Sequence, residues 1–312
     1  MNVFKRFYVK ARREFLKKIV SQKSKHVDSG AHIALVSCDA WAGRVYDDLL
    51  LQKAFLDSGV KADIVSWQNK KLNYNKYDAL LITSMWGYQN YIHDFEKWLD
   101  EVRNLKVFNP VKIIRENYNK SKQIAILEKN HLPIVPTKIV KLLDSKDDFS
   151  FPVVIKPNVS GSGENTFLVN DYTELESIMN KLQEINKDRD ILVQPFLPEI
   201  NNGEISVIVI DKKIVNAVMR FPGVVGNNKK YMVKPLGVDN LDADLIKMCE
   251  KIIDLNEYRD ELYMRIDVVK KNNTYIIMEV ELFEPQLFYY LLKGKARKTM
   301  LDTMVESLKK RL

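Results

Sequence analysis

Tyr263-Met264-Arg265-Ile266-Asp267-Val268-Val269, a turn at Lys271-Asn272-Asn273, and then Thr274–Leu282 (TYIIMEVEL) spell out a β-hairpin. Both arms are strongly apolar, yet each carries charge at odd-numbered positions: Arg265 and Asp267 on the first, Glu279 and Glu281 on the second. Side chains alternate across a strand, so each pair shares a face. Any register whose paired numbers sum to an even value aligns those faces, leaving opposed or diagonal neighbours about 5–8 Å apart. Three carboxylates gathered there repel one another unless cations sit among them. Hard oxygen ligands of this kind suit Mg²⁺, which takes one or two carboxylates together with substrate phosphates. The plainer reading is the solvated face of an edge hairpin, and the apolar surroundings within IIMEVEL weigh against it.

Upstream, Lys156 ends the apolar run of FPVVIKP (151–157), and the small-residue loop Ser160-Gly161-Ser162-Gly163 leads into a strand at Thr166–Val169. Backbone N–H groups of such a loop can close over a triphosphate, with lysines as point charges. GxxxxGK[ST] is missing and no helix follows directly, so this is not a P-loop; taken singly, a Gly/Ser turn is more often only a turn. A capped helix follows, with Asp171 as N-cap, Glu174 as its N3 partner and an end near Ile185. Ile191–Phe196 reads as a strand, and Glu204–Ile210 with Ile214–Arg220 as a hairpin across Asp211-Lys212-Lys213. Helical periodicity covers Lys120–Asn130, Leu241–Leu255 and Lys298–Arg311.

The N-terminal third has a different pattern. His32–Ser37, Ala62–Trp67 and Ala79–Thr83 are short apolar strands, with a helix at Asp47–Asp57 stopped by Ser58-Gly59. That order is a βαβ signature and predicts a parallel sheet with right-handed crossovers. Cys38-Asp39-Ala40-Trp41-Ala42-Gly43 stands where a dinucleotide fold carries GxGxxG, which argues against such a site.

In order, Asn119-Lys120, FPVVIKP with SGSG, VQPFLPEINNGEISV (193–207) and RIDV with MEVEL resemble the ATP-grasp superfamily over roughly residues 30–287. Within it the chain is most similar to the D-cycloserine-biosynthesis ligases, through YDALLITSMWGYQNYIHDFEKWL (77–99), FNPVKIIRENYNKSKQIAIL (108–127), PIVPT (133–137) and MEVELFEPQLF (278–288). D-alanine–D-alanine ligases and glutathione synthetases resemble it more distantly. The resemblance implies an α/β chain, α+β in its C-terminal half. Its parts would be a basic segment (1–28), a parallel-sheet domain (29–115), a small lid (116–198) and a C-terminal catalytic region (199–312).

By motif position, the resemblance also implies roles. Lys120 and Lys156 would contact ATP phosphates, with Ser160, Gly161, Ser162 and Gly163 closing over them. Gln194, Phe196 and Leu197 would hold adenine, and Glu204 ribose. Asp267, Glu279 and Glu281 would be the ligands of Mg²⁺ (or Mn²⁺), and Arg265 would steady the transferred phosphoryl group. The activity implied is an ATP-dependent ligation of a small-molecule carboxylate to an amine, an amino acid or peptide, through an acyl phosphate. An ATP-grasp phosphotransferase and a silent nucleotide-binding scaffold are the alternatives. No side-chain nucleophile is needed, in keeping with four histidines, none in a triad-like setting.

Three departures from the family pattern fall near the substrates. Asn119 replaces an aspartate, Trp86-Gly87-Tyr88 replaces WDY, and Phe221–Lys234 lacks an arginine expected near Met232, for which Lys230 or Lys234 could substitute.

Charge sharpens the organisation. Of 312 residues, 49 are Lys or Arg and 41 Asp or Glu; nine of the basic residues and one acidic residue lie within residues 1–27, so the remainder carries 40 of each. The net +8 therefore belongs to one segment, and a neutral body argues against nucleic-acid binding. Phe4, Phe7, Tyr8, Ala11, Phe15 and Ile19 mark that segment as an amphipathic helix. One reading is an in-plane helix on an anionic membrane; the others are a helix packed on the body or a second subunit, and, less well fitted, a transit peptide. Two cysteines give no disulfide framework, no apolar run is long enough to span a membrane, and no secretory signal is visible, so a cytoplasmic protein is expected, with a homodimer plausible.

Overall fold

The computed structural model describes residues 30–141, 149–161, 163–185, 190–221 and 232–312. The expectations for residues 1–27, Ser162 and Lys230 lie outside the described residues.

The first layer is the expected parallel sheet. Strands β1 (His32–Ser37), β2 (Lys61–Ser66), β3 (Ala79–Ile82) and β4 (Val107–Phe108) lie in the order β2-β1-β3-β4. Helix α1 (Tyr46–Asp57) joins β1 to β2, and α2 (Ile92–Val102) lies between β3 and β4. Both faces of β1 and β3 are buried, which is why those strands read as unbroken apolar runs.

Two helices and a second sheet follow. Helix α3 (Val111–Asn117) begins directly after Pro110, a residue whose fixed φ suits a helix start. Helix α4 (Lys120–Lys129) is capped by Asn119, whose side chain accepts from Lys122 N–H at 3.2 Å. Asn119 also accepts from Ser121 and Asn158, so its departure from the family aspartate is occupied by local structure. Strands β5 (Lys138–Val140), β6 (Val153–Pro157), β7 (Phe167–Val169) and β8 (Ile191–Pro195) form an antiparallel sheet in the order β5-β8-β6-β7. Helix α5 (Tyr172–Ile185) covers one face through Leu175, Met179 and Leu182. Asp171 accepts from Glu174 N–H at 2.9 Å, while the Glu174 carboxylate reaches one residue further back than expected, to Asn170 N–H. Val153 and Ile155 of β6 point into that core, so Val154 and Lys156 point away from it.

The third layer is a five-stranded antiparallel sheet built from β9 (Glu204–Ile210), β10 (Lys213–Phe221), β11 (Met232–Pro235), β12 (Tyr263–Lys271) and β13 (Thr274–Glu281), in the order β11-β10-β9-β12-β13. Helix α6 (Ala243–Ile253) packs on one face against Val207, Val209, Met264, Ile266 and Val280. On the other face, Ile208, Ile210 and Tyr263 join a core shared with β1, α1 and the C-terminal helix α7 (Gly294–Lys309). The odd positions of β12 therefore divide: Tyr263 enters that shared core, and Arg265 and Asp267 fall beyond its edge.

Strand β13 is an edge strand, and side-chain amides close its open side. Asn117 donates to Val280 O at 2.6 Å and accepts from Leu282 N–H at 2.8 Å. Gln123 accepts from Val280 N–H at 3.1 Å and also donates to its carbonyl. Ile277 N–H donates to Pro133 O at 2.8 Å. An edge treated this way offers no ladder for another chain, and it fixes α4, with Lys120 at its start, against the carboxylates of β13.

Candidate active site

The second and third sheets face each other across a cavity of about 700 Å³. Its walls include Lys120, Lys156, Ser160, Gly161, Gly163, Gln194, Phe196, Leu197, Glu204, Arg265, Glu279 and Glu281, so the structure gathers residues separated by up to 161 positions in sequence. Asp267 is the exception among the described candidates: it lies one layer beneath the wall, 1 % exposed.

The hairpin register has the even sum that the alternation required. Arg265 pairs with Glu281 and Asp267 with Glu279, and the register slips by one only after that pair. A bulge there leaves the charged end of the hairpin in one register and its apolar turn in another.

Cations of the protein itself separate the carboxylates. Asp267 accepts from Arg265 at 2.8 and 2.9 Å, from Arg220 at 2.5 Å and from Ser206 at 2.6 Å. Arg220 also reaches Glu204 at 2.8 Å, Arg265 reaches Glu281, and Lys120 reaches Glu279. Burial works against the charge on Asp267 and Glu279, but Arg220 with Arg265 outweighs it at the first, and Lys120 with Lys156 at the second, holding both below the usual carboxylate range. At Glu204 and Glu281 burial wins and pushes each carboxyl up to about 7. Burial lowers the Lys156 ammonium to about 8. At Lys120 burial is outweighed by Glu279 and its acidic neighbours, so that ammonium stays above the ordinary value.

Donor chemistry decides which carboxylates suit a metal. Among the described residues no three His, Cys, Asp or Glu side chains converge as a ready cage. Glu279 and Glu281 line the cavity and are hard oxygen donors, which fits a magnesium ion that takes its remaining ligands from phosphates and water. The Asp267 oxygens are engaged by two guanidinium groups and a hydroxyl, so it fits as a support behind the other two.

The same lining includes an apolar set, Val135, Val154, Leu168, Met278 and Leu197. Gln194 is fixed there by donating to Thr137 at 2.8 Å, and Phe196 N–H donates to Pro152 O at 3.0 Å. The lining thus suits a ligand that has both an apolar part and a polyanionic part. In the small-residue loop, a Cβ on Gly161 would meet Glu284 Oε1 at 3.2 Å, whereas Gly163 is required by its φ of +71°.

Three residues of this site went unread in the sequence. Arg220 directly opposes Glu204 across the β9–β10 pair, and both sit at the ends of the expected hairpin, which was the available signal. Lys234 lies over the Phe221 ring at 5.1 Å. Ser206 opposes Asp267 across β9–β12. Glu284, just beyond β13, is buried in the wall, and burial together with Glu281 pushes its carboxyl well above the usual range. Trp86, from the Trp86-Gly87-Tyr88 departure, donates its indole N–H to Glu284 O at 3.1 Å.

Comparison with known proteins agrees with this architecture. Residues 33–109 match the family described as D-cycloserine synthetase DcsG, N-terminal domain, and residues 117–290 match the RimK-like ATP-grasp domain. A coenzyme gamma-F420-2:alpha-L-glutamate ligase of Methanocaldococcus jannaschii is 24 % identical over 262 residues, spanning 78 % of this chain and 85 % of that protein. A D-alanine–D-alanine ligase of Francisella philomiragia is 30 % identical over 88 residues, 27 % of this chain and 28 % of that protein. Among solved structures, D-cycloserine synthetase DcsG superposes with a TM-score of 0.73 at 16 % identity, over 89 % of this chain and 99 % of the other. The D-alanine–D-alanine ligase of Bacillus anthracis complexed with ATP gives 0.64 at 16 % identity, over 90 % and 98 %. These structural likenesses establish the fold.

Proposed function

The chain belongs to the RimK-like ATP-grasp family, and from that premise we propose that it is an ATP-dependent carboxylate–amine ligase working through an acyl phosphate. The relatives named as ligases support the reaction class. The observation that carries the reading is the cavity itself: four cations, Lys120, Lys156, Arg220 and Arg265, share its lining with carboxylates Glu279 and Glu281 and with an apolar set.

In this reading Gln194, Phe196 and Leu197 hold adenine, Glu204 takes ribose, and Lys120, Lys156 and the loop of residues 160–163 take the phosphates. Glu279 and Glu281, backed by Asp267, are the residues that would hold Mg²⁺ or Mn²⁺, which neutralises phosphate charge when bound. A substrate carboxylate oxygen forms a bond to the γ-phosphorus of ATP as the bond to ADP breaks. Two anions must approach, so the lysines and Arg265 lower the barrier by fixed positive charge and positioning. The nitrogen lone pair of an amine then forms the C–N bond as the acyl C–O bond to phosphate breaks, and the proton lost by the nitrogen leaves with the phosphate. For the basic segment 1–27, docking on an anionic membrane surface stands beside packing on the body or on a second subunit; loss of co-sedimentation with anionic vesicles on its removal would single out the first.

The test is ADP release with Mg²⁺ across a panel of carboxylates and amines, with product mass distinguishing an amide from a phosphorylated product. Glu279→Gln should abolish turnover and leave the circular dichroism spectrum intact. Full activity in that variant would falsify the metal assignment.

A further inference from the structure

Helix α1 begins with two acids that are buried. Asp47 and Asp48 occupy its first turn, are 8 % and 4 % exposed, and line a small cavity of about 30 Å³. Tyr289, from the segment that follows β13, lines it as well, and most of the remaining wall is apolar, including Leu51, Leu81, Ile82 and Met304. None of the carboxylates of the main cavity reaches it.

The two carboxyl groups are supplied with hydrogen-bond donors but not with a counter-charge. Asp48 accepts from Ser84 Oγ at 2.5 Å, and Ser84 is held in turn by the Ser37 hydroxyl at 2.8 Å. Asp47 Oδ1 accepts from Tyr290 N–H at 2.8 Å. The first turn of α1 adds the positive end of its dipole, which favours the ionised forms. Yet no lysine, arginine or histidine lines the cavity among the described residues. Arg297 favours the charge on Asp47 electrostatically, but its guanidinium is engaged by the carbonyls of Leu292, Tyr289 and Tyr290, at 2.7, 3.1 and 3.3 Å. Burial pushes both carboxyls up to about 7, the mark of charge without enough compensation.

Two oxygens remain unused. Asp47 Oδ2 and the Tyr289 hydroxyl are buried with no hydrogen-bond partner among the described residues, and Tyr289 is only 1 % exposed. Burial, and then the charge of Asp47, hold the Tyr289 phenol well above its usual range, so it stays a neutral oxygen donor. Orphaned buried oxygens cost stability unless something occupies the space before them. A water molecule needs about 10–15 Å³ of such space, so the cavity has room for a particle of that size.

We propose that this cavity binds one monovalent cation of about the size of water, potassium or ammonium, held by Asp47 Oδ2, the Tyr289 hydroxyl oxygen and the Asp48 carboxylate. Oxygen donors with net negative charge select a hard cation. A divalent ion finds too few ligands, since among the described residues no three acidic, histidine or cysteine side chains converge. A water molecule fits the volume but leaves buried negative charge uncompensated. The ion joins α1 of the first layer to the segment that leaves β13, so its loss is felt as stability.

The experiment is thermal unfolding of the full chain, as wild type, Asp47→Asn and Tyr289→Phe, at pH 8 in potassium, ammonium, lithium or N-methylglucamine chloride at one ionic strength. The wild type is expected to melt about 2 °C or more higher in about 100 mM potassium or ammonium than in N-methylglucamine, with a smaller rise in lithium. Asp47→Asn keeps an acceptor for Tyr290 N–H and is expected to remove the difference; Tyr289→Phe is expected to reduce it. Equal melting temperatures of the wild type in all four salts overturn the proposal. So does a potassium increment that survives Asp47→Asn at full size, which places the ion elsewhere. Wild-type crystals grown in rubidium chloride give a reading that does not depend on either variant folding: an anomalous peak between Asp47 and Tyr289 is expected, and density there without anomalous signal, a water only, overturns the proposal.

Discussion

The Arg220 guanidinium lies 2.5 Å from Asp267 Oδ2, although their strands, β10 and β12, are not neighbours in the sheet. The contact spans β9, where Glu204 binds the same guanidinium at 2.8 Å. Arg220 is therefore the link that lets two carboxylates lie together at low exposure. Arg220→Ala should leave Glu204 without its cation and Asp267 with one guanidinium instead of two. Removing one partner of a buried ion pair costs about 3–5 kcal/mol. Denaturant unfolding should record a loss of that size, and ADP release should fall with it.

A second buried acid lies outside the lining of the main cavity. Asp48, at the start of α1, is 4 % exposed and accepts from Ser84 Oγ at 2.5 Å, and burial pushes its carboxyl up to about 7 from an ordinary value of 3.8. Because the folded value is the higher one, the folded chain binds more protons between those limits, and stability is lost as pH rises toward 7. Asp48→Asn removes that titration. Melting temperatures followed from pH 4 to pH 8 should fall less steeply in the variant than in the wild type; identical slopes would rule the assignment out.

The hairpin was legible because alternation is local: Arg265 shares a face with Asp267, and Glu279 with Glu281, whatever the rest of the chain does; the two-residue turn at Asn272-Asn273, both with positive φ, starts the hairpin in an odd-sum register, and the bulge after Asp267 gives the even sum that brings the two pairs together. The parallel sheet was legible for the same reason, through buried runs such as His32–Ser37. Which cation meets which carboxylate was not, since Lys120, Arg220 and Arg265 reach the site from different elements and only the packed sheets decide the pairing. Helix α3 escaped notice because its seven residues make only about two turns, too few for a helical period to stand out. Glu284 looked like a polar residue following a strand; its seat under the loop depends on Gly161, 123 positions earlier in the sequence.

The amide closure of β13 has a measurable consequence. Asn117→Ala would leave Leu282 N–H without the partner it now has at 2.8 Å, while Val280 O would keep Gln123 as a donor. Each orphaned buried polar group costs about 1–3 kcal/mol. The variant should lose stability in that range, and hydrogen exchange should quicken first at Leu282, whose amide donates to the Asn117 carbonyl.

Lys156 offers a direct handle on nucleotide binding. Burial brings its ammonium down to about 8 from an ordinary 10.5, with Lys120 adding repulsion and Glu279 opposing both. Below that value the side chain is charged and attracts phosphate; above it the charge is gone from the free protein. ATP affinity should therefore weaken as pH rises from 7 to 9, whereas a permanently charged arginine in the same wall would give no such change. Lys156→Gln should bind ATP about 10–100-fold more weakly at pH 7, the worth of a charge-assisted contact, and should lose most of the pH dependence. Titration calorimetry at pH 7, 8 and 9 reads both effects. A wild-type affinity that is flat across that range would remove Lys156 from the phosphate site, while leaving the assignment of Lys120, whose charge persists throughout, intact.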